Sequence, residues 1–248
     1  MIDSKCGVVL LAAGKGKRLK TVDIPKVMRE IGGRPMVEYS VETLKKIGFK
    51  PEQICLVVGF GKEKVIEHFG KSVNYAEQTE LKGTAHAAYT GMKSLPAGIK
   101  HVLVMGGDDS AFYKPETLKK LFEKHIFGNY KLTLLTAKPK NYQNLGRIVR
   151  HENGDIEIIE KEYLTEEQKQ IKEISTGTFV FDREWFEKIF PTMQPLRKLG
   201  EYGLPTALAV ARDNKEPHQV VELENSDEWF GVNTPEELEE ANKRKLNI

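Results

Sequence analysis

The chain has few cysteines, no long apolar run and almost no net charge. Cys6 and Cys55 are its only cysteines, and two make neither a disulfide framework nor a metal-ligand cluster. Both sit beside β-rich runs, which favours small reduced core residues. No apolar run approaches the ~20 residues that span a bilayer. The amino-terminal residues lack the charged, apolar and small-residue order of a signal peptide. These absences lead to the expectation of a cytoplasmic protein without a membrane partner. A net charge of +2, with no basic patch interleaved with aromatics, excludes a nucleic-acid coat. No repeat, low-complexity tract or linker divides the 248 residues, so one domain spanning all of them is expected.

What is present alternates. Residues 6–11 read as a fully buried strand. Residues 34–48 carry Met36, Val37, Val41, Leu44 and Ile47 at a helical period. Strands are predicted over 53–58, 72–76, 101–106 and 131–137, and helices over 62–69, 84–95 and 115–127, with Pro115 suited to a first turn. Strands separated by helices imply an α/β fold with a mainly parallel central sheet covered on both faces. The rhythm then changes. Residues 146–161 read as two strands about an Asn153-Gly154 turn, and 175–182 as another strand, so a small antiparallel insert is expected. The charged stretch 162–173 reads as a solvated helix or loop. Near the end, Thr234 as N-cap, Pro235 at the first helical position and Glu237 two residues later predict a helix start.

The positive charge is concentrated in VLLAAGKGKRLKTVDIPKVM, residues 9–28. The first strand feeds a glycine-bearing turn with Lys15, Lys17, Arg18 and Lys20, and Lys26 follows a stiff proline. In open α/β sheets ligands sit beyond the carboxyl ends of strands, where this turn lies. Gly14 and Gly16 would let backbone N–H groups approach an anion, and Arg18 can fork onto phosphate oxygens. The P-loop pattern is absent. The dinucleotide fingerprint fails as well, because Leu19 stands at its third glycine.

The longer string resembles the signature of the sugar-1-phosphate nucleotidylyltransferases, an L-x-A-G-x-G-x-R run followed by P-K-x-(M/L), and within them the N-acetylglucosamine-1-phosphate uridylyltransferase domain. The resemblance extends along nearly the whole chain, through EQTELKGTAHA (77–87), GGDDS (106–110), GRIVR (146–150), GEYGLPTALA (200–209) and GVNTPEEL (231–238). It implies a Rossmann-like, GT-A-like fold. The nucleotide lobe would be about 1–140 plus 225–248, and the sugar-side lobe about 141–224. It implies transfer of a nucleotidyl group, from UTP first of all, to N-acetylglucosamine-1-phosphate, with Mg²⁺ as cofactor and only small molecules as partners. No feature specifies an oligomeric state.

The residue roles that follow are those the resemblance implies. Leu11, Ala12, Ala13, Gly14, Lys15 and Gly16 hold the nucleotide, with Gln78, Gly83 and Thr84 at its base. Arg18, Lys26 and Asp108 are the catalytic set, Asp108 and Asn233 the metal ligands, and Gly146, Glu160 and Ser175 the sugar contacts. Plainer alternatives stand beside them. His86 reads as a packed or hydrogen-bonded histidine, Asp109 as a cap on the turn after its strand, Glu160 as a surface strand residue and Asn233 as the residue before an ordinary cap.

The chain departs from the family mainly on the sugar side. Ser175 stands where an asparagine is usual, and a hydroxyl cannot make the paired contacts of an amide. Gly203, Pro205 and Thr206 replace an aromatic, a threonine and an aspartate, and Gly106 replaces a tyrosine. The resemblance further implies a chain without the left-handed β-helical acetyltransferase domain of the bifunctional enzyme. Three readings stay open: the uridylyltransferase, the same chemistry with another sugar phosphate or with dTTP, and a nonenzymatic nucleotide-sugar-binding regulator.

Overall fold

The computed structural model describes residues 3–19, 24–152, 154–195 and 200–247. Lys20 of the basic turn and Asn153 of the expected hairpin turn lie outside them. The strands are β1 (Cys6–Ala12), β2 (Glu30–Ile31), β3 (Arg34–Pro35), β4 (Ile54–Val58), β5 (Asn74–Glu77), β6 (His101–Gly106), β7 (Leu132–Ala137), β8 (Arg147–Arg150), β9 (Ile156–Ile159), β10 (Ile174–Asp182) and β11 (His218–Glu222). The helices are α1 (Met36–Lys46), α2 (Lys62–Phe69), α3 (Thr84–Ser94), α4 (Pro115–Phe127), α5 (Arg183–Ile189), α6 (Pro205–Asp213) and α7 (Pro235–Leu246).

Seven strands form one sheet in the order β11-β7-β10-β6-β1-β4-β5. β1 runs parallel to both β4 and β6, β5 parallel to β4, and β11 parallel to β7. The period of two along β1 divides its side chains between two cores. Val8 and Leu10 pack with Val41 and Leu44 of α1 and Phe122 of α4, whereas Val9 packs with Ala88 and Met92 of α3. Burial on both faces explains why these strands read as continuous apolar runs. Gly91 lets α3 approach closely, since a Cβ there would meet Val9 at 2.5 Å. Cys6 and Cys55 are free and buried, and burial pushes each thiol up to about 12, as expected of inert core residues.

The predicted bounds of α2, β6 and α4 agree with the structure. α1 starts two residues later than expected because Arg34–Pro35 is taken into a short ladder with Glu30–Ile31. β8 and β9 pair antiparallel. α5, α6 and β11 were not anticipated. β10 is more consequential: it lies inside the central sheet, antiparallel to both β6 and β7. Of the expected sugar-side lobe, about 141–224, β10 and β11 therefore belong to the central sheet, and only β8 and β9 form a sheet of their own. No helix among the described residues is long and apolar enough to cross a membrane.

The chain leaves β1 for β4 and β5 on one side and returns to β6 on the other. The strand order reverses between β1 and β6, and that crevice is where a ligand is expected. Gly107 N–H donates to Leu11 O at 3.0 Å across it.

Candidate active site

The basic turn leaves the carboxyl end of β1, and Leu19, only 4 % exposed, pins it to a small core with Ile31 and Met36. Gly16 has φ +62°, and a Cβ there would lie 2.9 Å from the Lys26 Cβ, so glycine lets the turn close over Lys26. Pro25 packs in turn against Gly61. Lys26 is thereby held 9 % exposed, at the head of a 3-10 turn, Lys26–Met28.

Four residues distant in sequence meet at this ammonium. Lys26 Nζ donates to Asp108 Oδ2 and, at 2.8 Å, to Asn233 Oδ1. Arg18 Nη2 donates to the same Asn233 oxygen at 2.7 Å. Asp108 arrives on the turn after β6, and its own carbonyl accepts from Val232 N–H at 3.1 Å. Asn233 is aimed by the start of α7. Glu237 Oε2 accepts from the N–H groups of Asn233 and Thr234, at 2.6 and 3.0 Å, while Thr234 Oγ1 accepts from Glu237 N–H at 3.2 Å. Asn233 is thus the residue before an ordinary capping box, and that box holds it toward Lys26.

At the other side of the crevice, Gln78 is 5 % exposed. Its amide N–H donors go to Gly83 O at 3.2 Å and His86 Nδ1 at 3.0 Å. Burial pushes His86 down, so the neutral ring accepts, and it is the hydrogen-bonded histidine expected of it. Gly83 has φ +98°, and a Cβ there would lie 2.6 Å from Tyr202 O. That carbonyl accepts from Ala85 N–H at 2.8 Å, and Leu204 N–H donates to Thr84 Oγ1 at 3.0 Å. The 77–87 segment and the 200–205 segment are therefore one bonded unit.

A cavity of about 530 Å³ opens between these parts, a size suited to a small organic ligand. Leu11, Ala13, Gly14, Lys26, Gln78, Gly83, Thr84 and Asp108 line it, as do Gly146, Glu160 and Ser175 of the sugar-side set. Asn233 lines a smaller neighbouring pocket. Lys15 is exposed, its ammonium 6.0 Å from the Phe60 ring. Ala12 pairs with Val58 inside the sheet and its side chain belongs to the core, which leaves only its backbone for a ligand. A Cβ on Gly146 would lie 3.3 Å from Glu160 Oε2. Burial pushes the Glu160 carboxyl up, and Glu162 adds to this. Ser175 Oγ accepts from Gly177 N–H at 3.3 Å.

Sequence reasoning missed Glu201 and Leu204, which also line the cavity together with Pro205, noted from the sequence only as a departure, and it weighed Asp109 only as a turn cap. Asp109 lines the cavity as well, while its Oδ1 is out of contact with water and has no hydrogen-bond partner. Burial pushes its carboxyl well above the usual range and the Asp108 charge adds to this, against Lys26 and the Trp229 indole N–H. A Cβ on Gly106 would lie 2.7 Å from Asp109 Oδ1, so glycine at 106 makes the room this carboxyl occupies. The available signal was two consecutive acids at a strand end.

Among the described residues no three or more His, Cys, Asp and Glu side chains gather to hold a metal. The Asp108 and Asn233 oxygens nevertheless converge on one cation, the Lys26 ammonium. Two oxygen donors facing a positive charge fit a hard divalent ion that keeps several waters and takes further oxygens from phosphates.

Residues 7–247 match the sequence model of the nucleotidyl transferase family. The chain is 34% identical over 246 residues to the bifunctional protein GlmU of Bacillus licheniformis, covering 96% of this chain and 52% of that protein. It is 36% identical over 234 residues to the GlmU of Exiguobacterium sibiricum, covering 94% and 51%. The chain thus spans about half the length of the curated relatives it matches. Its fold is similar to the crystal structure of a Bacillus anthracis protein provisionally assigned as a glucose-1-phosphate thymidylyltransferase, in complex with a sucrose. The TM-score is 0.81 at 21% identity, over 98% of this chain and 96% of that one, a likeness of fold alone. With the basic turn, Lys26 and Asp108 gathered at the switch of a mainly parallel sheet, and with the family's sequence pattern running from residue 7 to 247, this chain belongs to the nucleotidyl transferase family.

Proposed function

We propose that this chain transfers a nucleotidyl group from a nucleoside triphosphate, UTP first, to a sugar-1-phosphate and releases pyrophosphate. The observation that carries this reading is the convergence of Arg18, Lys26, Asp108 and Asn233. A phosphate oxygen of the acceptor would attack the α-phosphorus in line. The bond to the bridging oxygen breaks, and pyrophosphate leaves with the electron pair. A phosphate monoester is already anionic at neutral pH, so no general base is required. The obstacles are repulsion between two anions and the charge growing on the leaving group, which call for preorganised cations and N–H donors. Lys26 and Arg18 supply the cations, and the turn at 13–16 supplies backbone donors. Asp108 and Asn233 would hold Mg²⁺, which neutralises phosphate charge when bound.

The base preference follows from Gln78. With its N–H donors given to Gly83 and His86, the amide offers a base an acceptor only. That matches the N3–H of uracil or thymine and opposes the N3 acceptor of cytosine. The resemblance to the N-acetylglucosamine-1-phosphate uridylyltransferase domain makes that sugar phosphate the expected acceptor, although the departures at Gly106, Ser175 and Gly203 all fall on that side. The test is pyrophosphate release across UTP, dTTP, CTP, GTP and ATP, each with glucose-, N-acetylglucosamine-, glucosamine- and mannose-1-phosphate, with and without Mg²⁺. Release with UTP that depends on Mg²⁺ is expected. A dark grid from a protein that still binds UTP overturns transfer in favour of a nonenzymatic nucleotide-binding role.

A further inference from the structure

The two arginines of β8 have opposite surroundings. Arg150, at the exposed end of the strand, forks onto the buried Glu173, Nε to Oε2 at 3.0 Å and Nη2 to Oε1 at 2.7 Å. Arg147, at the other end, is only 1 % exposed. Among the described residues it meets no carboxylate, and its Nε has no hydrogen-bond partner. Burying a guanidinium without a counter-charge is costly, so stability alone does not account for it. Its Nη1 donates to Leu145 O, and its Cζ lies 4.9 Å from the centre of the Tyr142 ring. Leu145 N–H in turn donates to Tyr142 O at 3.1 Å. The turn 142–145 is therefore closed twice, by its own backbone and by the guanidinium laid across it.

That turn ends in the cavity wall. Leu145 lines both the cavity and the smaller pocket beside Asn233, and Gly146 lines the cavity. A side chain at 146 would be crowded, its Cβ 3.0 Å from Ile159 O and 3.3 Å from Glu160 Oε2. The freedom of a glycine also lets the 145–146 peptide rotate, so its direction has to be fixed from outside. A peptide unit is planar and trans, and its C=O and N–H point in opposite directions. With Leu145 O held by Arg147, the Gly146 N–H is turned the other way. It continues the row of Ile148 N–H, which donates to Glu173 O at 3.0 Å, yet among the described residues it has no acceptor of its own. Resting on the nucleotidyl-transfer reading for the identity of the ligand, we infer that Arg147 is a positioning residue for the acceptor. Its guanidinium fixes the 145–146 peptide so that the Gly146 N–H is presented to an oxygen of the sugar phosphate. Arg147 is not itself part of the cavity lining; it acts through Leu145 and Gly146.

The experiment is a calorimetric titration of the full chain with the α,β-imido analogue of UTP, and then, with the analogue bound, with N-acetylglucosamine-1-phosphate and glucose-1-phosphate. Arg147→Met keeps the bulk of the side chain and removes its charge and donors. It should weaken the tighter of the two sugar phosphates by roughly ten-fold, the range of one aimed hydrogen bond, and leave the analogue within about two-fold. The thermal midpoint should hold or rise, because an apolar side chain in place of an unpaired buried charge does not destabilise. Arg147→Lys restores the charge but not the fork, and should not restore the affinity. Tyr142→Ala removes only the ring under the guanidinium and should weaken the sugar phosphate about three-fold; it carries the test if Arg147→Met does not fold. Unchanged sugar-phosphate affinity in the variant that carries the test overturns the inference, as does full rescue by lysine. A lowered midpoint with both affinities falling together also overturns it, being the mark of a merely structural residue, and so does a wild-type chain that binds neither sugar phosphate. The split between the two affinities without pyrophosphate release sinks the transfer reading alone; release without the split sinks this inference alone.

Discussion

The two ends of the cavity follow opposite electrostatic rules. At the phosphate end two cations are met by the protein itself: Lys26 by Asp108 and Asn233, and Arg18 by the same asparagine. At the acceptor end Asp109 Oδ1 meets nothing, and Glu160 is pushed up by burial rather than drawn down by a cation. The first end is preorganised, so little rearrangement is needed when phosphates arrive. The second leaves Asp109 Oδ1 without a partner. The phosphate end should therefore govern turnover, and the acceptor end selection.

Removing the centre of the preorganised end should have the largest effect. Lys26→Ala should lower the rate of pyrophosphate release by roughly 10²–10³-fold, the cost of one aimed electrostatic donor, with the thermal midpoint nearly unchanged. Lys26→Arg should not rescue it, because a planar guanidinium fork cannot place a single point charge between Asp108 Oδ2 and Asn233 Oδ1 as the ammonium does. A Lys26→Ala rate within about ten-fold of wild type would break the contrast between the ends.

Gly83→Ala comes next and tests whether the ends are separable. At φ +98°, with Tyr202 O 2.6 Å from the new Cβ, the substitution is strained by about 1–3 kcal/mol. Because Ala85 and Thr84 are bonded to the 202–204 backbone, affinity for the triphosphate and for the acceptor should fall together. A loss confined to the nucleotide, read from separate titrations, would show that the acceptor segment does not depend on the base loop.

Gln78→Ala should be milder. Removing one neutral hydrogen bond is worth about 0.5–1.5 kcal/mol, so the preference for UTP over CTP should shrink by roughly ten-fold at most, with turnover at saturation held. An unchanged ratio would show that the base is selected elsewhere.

How far these parts were legible in the sequence follows the same divide. The parallel strands announced themselves as apolar runs because both faces are buried, and the amphipathic helices by their period. Lys26 and Asp108 stood out as charges at strand ends, where this architecture places ligands. The insertion of β10 between β6 and β7 was not legible, since periodicity fixes a strand but not its neighbours or direction. α6 hid behind Pro205, which reads as a break and serves here at a helix start. Asp109 is visible as an acid after an acid, yet only the fold shows that its Oδ1 lies out of water beside Gly106 without a hydrogen-bond partner.

The smallest expected effect distinguishes the ends by pH. Burial, with Glu162 beside it, raises the Glu160 carboxyl above the ordinary glutamate value, so its protonated form is favoured more in the folded chain than in the unfolded one. The sign for folding is then fixed: the contribution to stability is fully present below the unfolded value and is lost as pH rises through the folded one. The sign for binding a sugar hydroxyl is opposite, because the ionised carboxylate is the stronger acceptor. As pH falls toward the raised value, N-acetylglucosamine-1-phosphate should bind a few-fold more weakly, beginning at a higher pH than an ordinary glutamate would give, while affinity for the α,β-imido analogue of UTP holds. Glu160→Gln should flatten the acceptor profile and leave the nucleotide profile as it was. Two profiles that bend together in the wild type, or an acceptor profile that keeps its bend in Glu160→Gln, would place the titrating charge at the phosphate end and remove the distinction between the two ends.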